Sequence, residues 1–205
     1  MIDKRGFLGW AARILSAAAT LASGGAVAAS DGRKLSQERD SDFFRWFHLA
    51  PTGVSSPGDN GQWIEFRPES AEFGPLVEVA ALTDADDVIH ATRLSVARSF
   101  IEGRNAPFAR DIVKSFLAWA APTPRTEDLA LLIAHFEDPR LGAHGTILVG
   151  PDAPKTPAEP DRTGGLDVYL GRRDEADLAA GPLGLRFSND GPANQRRFRI
   201  DVDGR

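Results

Sequence analysis

The chain contains no cysteine, which excludes disulfides, thiolate metal sites, cysteine-ligated iron–sulfur clusters and a cysteine nucleophile. It also lacks a GxSxG elbow, a GxxxxGK phosphate loop, a GxGxxG turn opening a helix and an HExxH pair. The local signatures of serine hydrolases, nucleotide-binding enzymes and zinc proteases are therefore missing. No basic run occurs and the formal net charge is −5, which argues against a nucleic-acid partner. Lysine is scarce, 4 residues against 20 arginines, a bias of GC-rich coding rather than a nucleic-acid face. What is present is a 205-residue chain that is 42% hydrophobic, enough to bury one full core. The 20 Gly and 14 Pro exceed average usage and predict many loops.

The first thirty residues have the layout of an export signal. Lys4, Arg5 and Arg13 precede or interrupt a short apolar stretch, Gly24 and Gly25 break it, and Ala26, Ala28 and Ala29 supply the small residues a signal peptidase requires. Cleavage after Ala28 or Ala29 is expected. With Asp3 the segment 1–28 carries net +2, so its removal leaves −7. An uncleaved inner-membrane anchor is the alternative, because residues 6–29 reach the length of a span. Arg13 opposes it, at a cost of about 2.5–3.5 kcal/mol near a helix centre. The stretch Asp3-Lys4-Arg5-Gly6-Phe7-Leu8-Gly9 resembles the twin-arginine export signal. Lys4 stands where that pattern has its first Arg, and Gly9 where it has Lys, so the general secretory route is the other possibility.

Beyond residue 30 the pattern predicts one α+β domain over 31–205: an antiparallel sheet of about five to seven strands, two central helices packed on one face, and a short aromatic N-terminal helix. The aromatic helix begins at Asp40 or Ser41 and ends at Pro51, with Phe43 and Phe47 on one face for docking to the core. Membrane-surface adsorption is its other reading, poorly served by Arg45 alone beside Asp42. Residues 52–62 read as turns, Trp63 to Phe66 and Leu76 to Leu82 as strands, and 83–87 as a hairpin turn. Val88 to Ile101 reads as the longest strand, with Leu94, Val96 and Phe100 inward and Arg98 at its wet end. A helix from Pro107 to Pro122 has the stripe Phe108, Ile112, Val113, Phe116, Leu117 and Ala120. A second, from Thr126 to Glu137, has Glu127 and Asp128 at its positive end and buries Leu129, Leu132, Ile133 and Phe136. Four short strands follow, near 146–149, 166–170, 185–188 and 197–202. Pro151, Pro154, Pro157 and Pro160 mark a Pro-rich loop at 151–165 whose period matches polyproline II. It reads as a stiff spacer, or as a docking ligand for an aromatic groove.

For chemistry, the sequence offers one ligand hypothesis. Arg93, Arg98, Arg104 and Arg110 crowd around a strand end, the Gly103 turn and a helix start, and arginines in such a place suit phosphate or carboxylate. Arg98, Arg104 and Arg110 are the candidate anion-binding residues. Their competing reading is surface pairing with Glu102 and Asp111. Zinc is weakly suggested by His135 and His144 with Glu137 and Asp138 between them, and calcium by Asp84, Asp86 and Asp87. The tail Asp201-Val202-Asp203-Gly204 imitates the start of an EF-hand loop without the later Glu. No metal site and no cofactor is expected, and catalytic residues cannot be assigned. The sequence thus reads as an exported, periplasmic or envelope-associated binding module whose partner is a protein or a small anion. A small periplasmic hydrolase and a membrane-anchored interaction protein are the alternatives.

Overall fold

A computed structural model describes residues 32–56, 61–121, 127–137, 164–180, 182–192 and 195–204. The export segment, the Pro-rich loop up to residue 163, the strand expected near 146–149 and His144 lie outside them, and the last two residues assigned to that loop, Gly164 and Gly165, are helical.

The described chain is α+β. Two short helices, α1 (Leu35–Glu38) and α2 (Asp42–Trp46), lead into a four-stranded meander: β1 (Leu49–Ser55), β2 (Gln62–Pro68), β3 (Val77–Thr83) and β4 (Ile89–Ala97). Helices α3 (Arg98–Ile101), α4 (Ala106–Ala120), α5 (Glu127–Glu137) and α6 (Gly164–Tyr169) follow, and β5 (Glu175–Ala180), β6 (Leu183–Asp190) and β7 (Arg197–Gly204) form a second meander. All seven strands make one antiparallel sheet in the order β1-β2-β3-β4-β7-β6-β5. The seam between the meanders is β4 against β7, with Leu94 opposite Ile200 and Val96 opposite Phe198.

The period-2 alternation explains the core. Phe66, Val77, Val79, Leu94, Val96, Phe187, Phe198 and Ile200 are fully buried on one face of the sheet, where the helices cover them. In α4, Pro107 occupies the first turn, where its missing N–H costs nothing, and Ala109, Ile112, Val113, Phe116, Leu117 and Ala120 form the buried stripe. In α5, Leu129, Leu132 and Phe136 do the same, and the two helices are neighbours. Helix α2 docks as its spacing predicts: Phe43, Phe44 and Phe47 are buried, while Trp46 is 69% exposed.

Four expectations are corrected. The aromatic helix stops at Trp46, because His48 has φ +47 and turns the chain into β1. Pro51 and residues 52–55, read as a helix stop and as turns, lie within β1, with Pro51 exposed on the sheet edge, where no ladder donor is needed. The long strand ends at Ala97, and residues 98–101 coil into α3. The expected strand at 166–170 is helix α6: its Gly165 lies against the Phe187 ring so closely that a Cβ would approach it to 2.9 Å, and that contact holds the helix on β6.

Among the described residues the opposite face of the sheet carries charge and no second layer covers it. One register row crosses all seven strands, running Gly53, Glu65, Ala80, Arg93, Asp201, Arg186 and Asp177. Arg93 bonds Asp201 at 2.6 Å and lies 4.5 Å over the Trp63 ring. Ala80 and Ser95 on this face are buried, with Arg93 opposite the first and Arg199 opposite the second. Arginine stems thus cover the small residues while their heads remain in water.

Candidate functional site

The end of β4, helix α3 and the start of β7 converge on one cleft, with the loop before β3 alongside. The backbone holds them together: Ala97 donates to the Leu76 carbonyl at 2.8 Å and Arg98 to the Arg196 carbonyl at 2.9 Å. The cleft encloses about 440 Å³ and is lined by Ala97, Arg98, Ser99, Glu102, Gln195, Arg196 and Arg197. That volume lies within the range of small-molecule sites.

Each arginine is held differently. Arg98 is only 12% exposed, and its Nη1 donates to the carbonyl oxygens of Tyr169 at 2.5 Å and Val168 at 3.5 Å. Those carbonyls belong to the last turn of α6, where Val168 O also accepts from the Gly171 N–H at 3.0 Å and from Asn189 Nδ2 at 2.8 Å, and Arg98, through its bond to Tyr169 above all, completes the cap of the helix. Arg33 does the same for α4, donating to the carbonyls of Trp119 and Ala120 at 2.8 and 3.1 Å. The remaining donors of Arg98, Nε and Nη2, both reach Glu102 Oε1, at 3.1 and 2.7 Å. Arg196 pairs with Asp174. Arg197 is half-buried and donates to neutral oxygens: the Ser95 hydroxyl at 2.6 Å and the carbonyls of Ser95, Pro75 and Leu76 at 3.1, 3.4 and 3.4 Å. Burial lowers the pKa of Arg197 from its ordinary value, with Glu78 opposing that shift and Arg67 adding to it. The group nevertheless stays charged.

The three candidate arginines part company. Arg98 lines the cleft. Arg104 is 85% exposed and pairs with Glu72 at 3.2 Å, away from it. Arg110 on α4 acts with Arg98 on Tyr169, whose phenol burial pushes up to about 12 against the opposing pull of both arginines. Arg93 belongs to the outer sheet row. Sequence reading misses Arg196 and Arg197, which stand about a hundred positions from Arg98 and reach it only through the β4–β7 register, where Ala97 faces Arg197.

The acidic turn finds structural employment. Asp84 Oδ1 accepts from the backbone N–H groups of Asp86 and Val88, both at 2.9 Å, and Oδ2 meets His90 Nε2 at 2.8 Å. The His90 bond, followed by the one from Val88, holds the Asp84 carboxyl below its ordinary pKa. Asp87, at φ +66, accepts the Ser36 N–H at 2.8 Å. Among the described residues no group of three or more His, Cys, Asp or Glu is arranged to hold a metal ion, and no described helix is long and apolar enough to cross a membrane.

Gly171 locks the Arg98 cap. It has φ +75, and a Cβ there would stand 2.8 Å from Arg98 Nη2. Gly171→Ala is expected to cost about 1–2 kcal/mol through backbone strain alone, with further loss because the guanidinium must move. Chemical denaturation checks the total, and an unchanged midpoint contradicts the account.

No protein-family model, no curated protein and no solved structure matches the chain.

Proposed function

We propose that this protein is an exported, non-catalytic binding module that holds a small anion in the cleft between Arg98, Arg196 and Arg197. The observation that carries the reading is Arg197. A half-buried guanidinium fixed by four neutral oxygens, with no carboxylate bonded to it among the described residues, keeps its charge available to a ligand at short range. Ser99 and Gln195 add an alcohol and an amide to the same lining. The one acid of that lining, Glu102, is engaged by Arg98, so the cleft suits holding an anion better than proton transfer. The ligand class is a carboxylate or phosphate, with no cofactor and no nucleic acid. Export rests on the layout of residues 1–30.

A panel of phosphate, pyrophosphate and citrate, each at millimolar concentration, tests the binding. At a hundredfold excess over Kd a ligand stabilises by about 2.7 kcal/mol, and Arg197→Gln is expected to abolish the Tm rise. Absence of any rise in the unmodified protein overturns the reading. For export, N-terminal sequencing of the envelope fraction is expected to begin at Ala29, Ser30 or Asp31, and a start upstream of Ala26 overturns cleavage.

A further inference from the structure

Resting on that anion-binding reading, we propose that Glu102 is the resident occupant of the cleft, a tethered carboxylate that an incoming anion displaces from Arg98, and that this competition selects ligands bearing two or more negative charges.

The partners of Arg98 fall into two sets. The inner set, the carbonyls of Val168 and Tyr169, belongs to the helix cap and is permanent. The outer set is one carboxylate on a side chain 64% exposed, carried at the end of a four-residue helix. Among the described residues Arg98 alone bonds the Glu102 side chain, so the carboxylate leaves by rotating about its own bonds. The contact is also poorer than the arginine can make: Nε and Nη2 converge on the single atom Oε1, whereas a free carboxylate or phosphate presents two oxygens to those two donors and forms the parallel fork.

Displacement sets the selectivity. A monoanion that replaces Glu102 exchanges one negative charge for another and gains little beyond geometry. An anion with a second charge also meets Arg197, which belongs to the same lining, and gains an interaction that Glu102 does not satisfy. Pyrophosphate represents the favoured class and acetate the excluded one.

Isothermal titration of the full chain with both anions tests this. Glu102→Gln is expected to tighten pyrophosphate binding about fivefold, the equivalent of one exposed ion pair released, and to make acetate binding measurable. Glu102→Asp keeps the charge but shortens the reach, and is expected to give a similar gain. Glu72→Gln removes an equal charge outside the cleft and is expected to change neither Kd. Unchanged or weaker pyrophosphate binding in both Glu102 variants, beside normal binding in the unmodified protein, overturns the inference and leaves the anion site standing. A gain in Glu72→Gln equal to that in Glu102→Gln also overturns it, since net charge then explains the effect. If neither the unmodified protein nor the Glu102 variants bind pyrophosphate, the anion site itself is wrong.

Discussion

Phe43→Ala is expected to lower stability by about 3–5 kcal/mol, whereas Trp46→Ala, one helical turn away, stays within about 0.5 kcal/mol. The contrast follows from where α2 points its rings. Phe43 contacts Phe44, Phe47, Phe116 and Trp119 at centroid separations of 5.2 to 6.1 Å, stacking on Trp119. Truncating it opens a cavity where α2 meets α4, and neighbouring rings lose both burial and edge-to-face contacts. Trp46 leaves most of its surface in water, so its removal takes little from the fold. Paired denaturant melts decide the matter: at this chain size the Phe43 variant should melt lower by about 10 °C. Equal losses in the two variants contradict the docking of α2.

The alkaline limb of stability should be governed by one phenol. Tyr169 is the sole tyrosine, 5% exposed and flanked by Phe136 and Phe198 at 5.2 and 5.3 Å. Burial raises its pKa from 10.0 to about 12, with the charges of Arg110 and Arg98 pulling the other way. In the unfolded chain the phenol ionises near pH 10. Between the two values the unfolded state has lost the proton and the native state retains it, so stability falls as pH rises. The full gap corresponds to about 3 kcal/mol, present below pH 10 and gone above pH 12. Absorbance titration reads this one group directly. The phenol should stay protonated through pH 10 and ionise near 12 or when the fold yields. A midpoint near 10 in folded protein contradicts the burial argument. Tyr169→Phe should flatten the alkaline slope.

What the sequence made readable follows from which forces act locally. Strands β2, β3, β4, β6 and β7 and helices α4 and α5 announce themselves through apolar periodicity, because each turns a run of large apolar residues to the core. The misses are segments whose own residues carry little local signal and whose partners decide their conformation. Strand β5, Glu-Ala-Asp-Leu-Ala-Ala, is poor in β-forming residues and exists through its pairing with β6. Helix α6 opens on two glycines that local propensity assigns elsewhere, and close approach to Phe187 and the Arg98 cap decide otherwise. At the cleft, Arg98 is legible as one of a crowd of arginines. Its companions Arg196 and Arg197 are not, since only sheet register brings them there.

The seam between β4 and β7 has a kinetic consequence. Each meander pairs neighbours in sequence, but the seam joins Arg93 to Asp201, and closing so long a loop is slow. Strand β7 stands fifth in the sheet order yet follows the other six described strands in the chain, so the middle of the sheet stays open until residues 197–204 have emerged from the ribosome. Until then the described strands form a four-stranded meander, β1 to β4, and the β5–β6 hairpin, each with an unpaired inner edge. Completion of this sheet therefore waits on the strand that follows the other six in the chain, and substitutions at the seam should alter folding rate more than those within either meander.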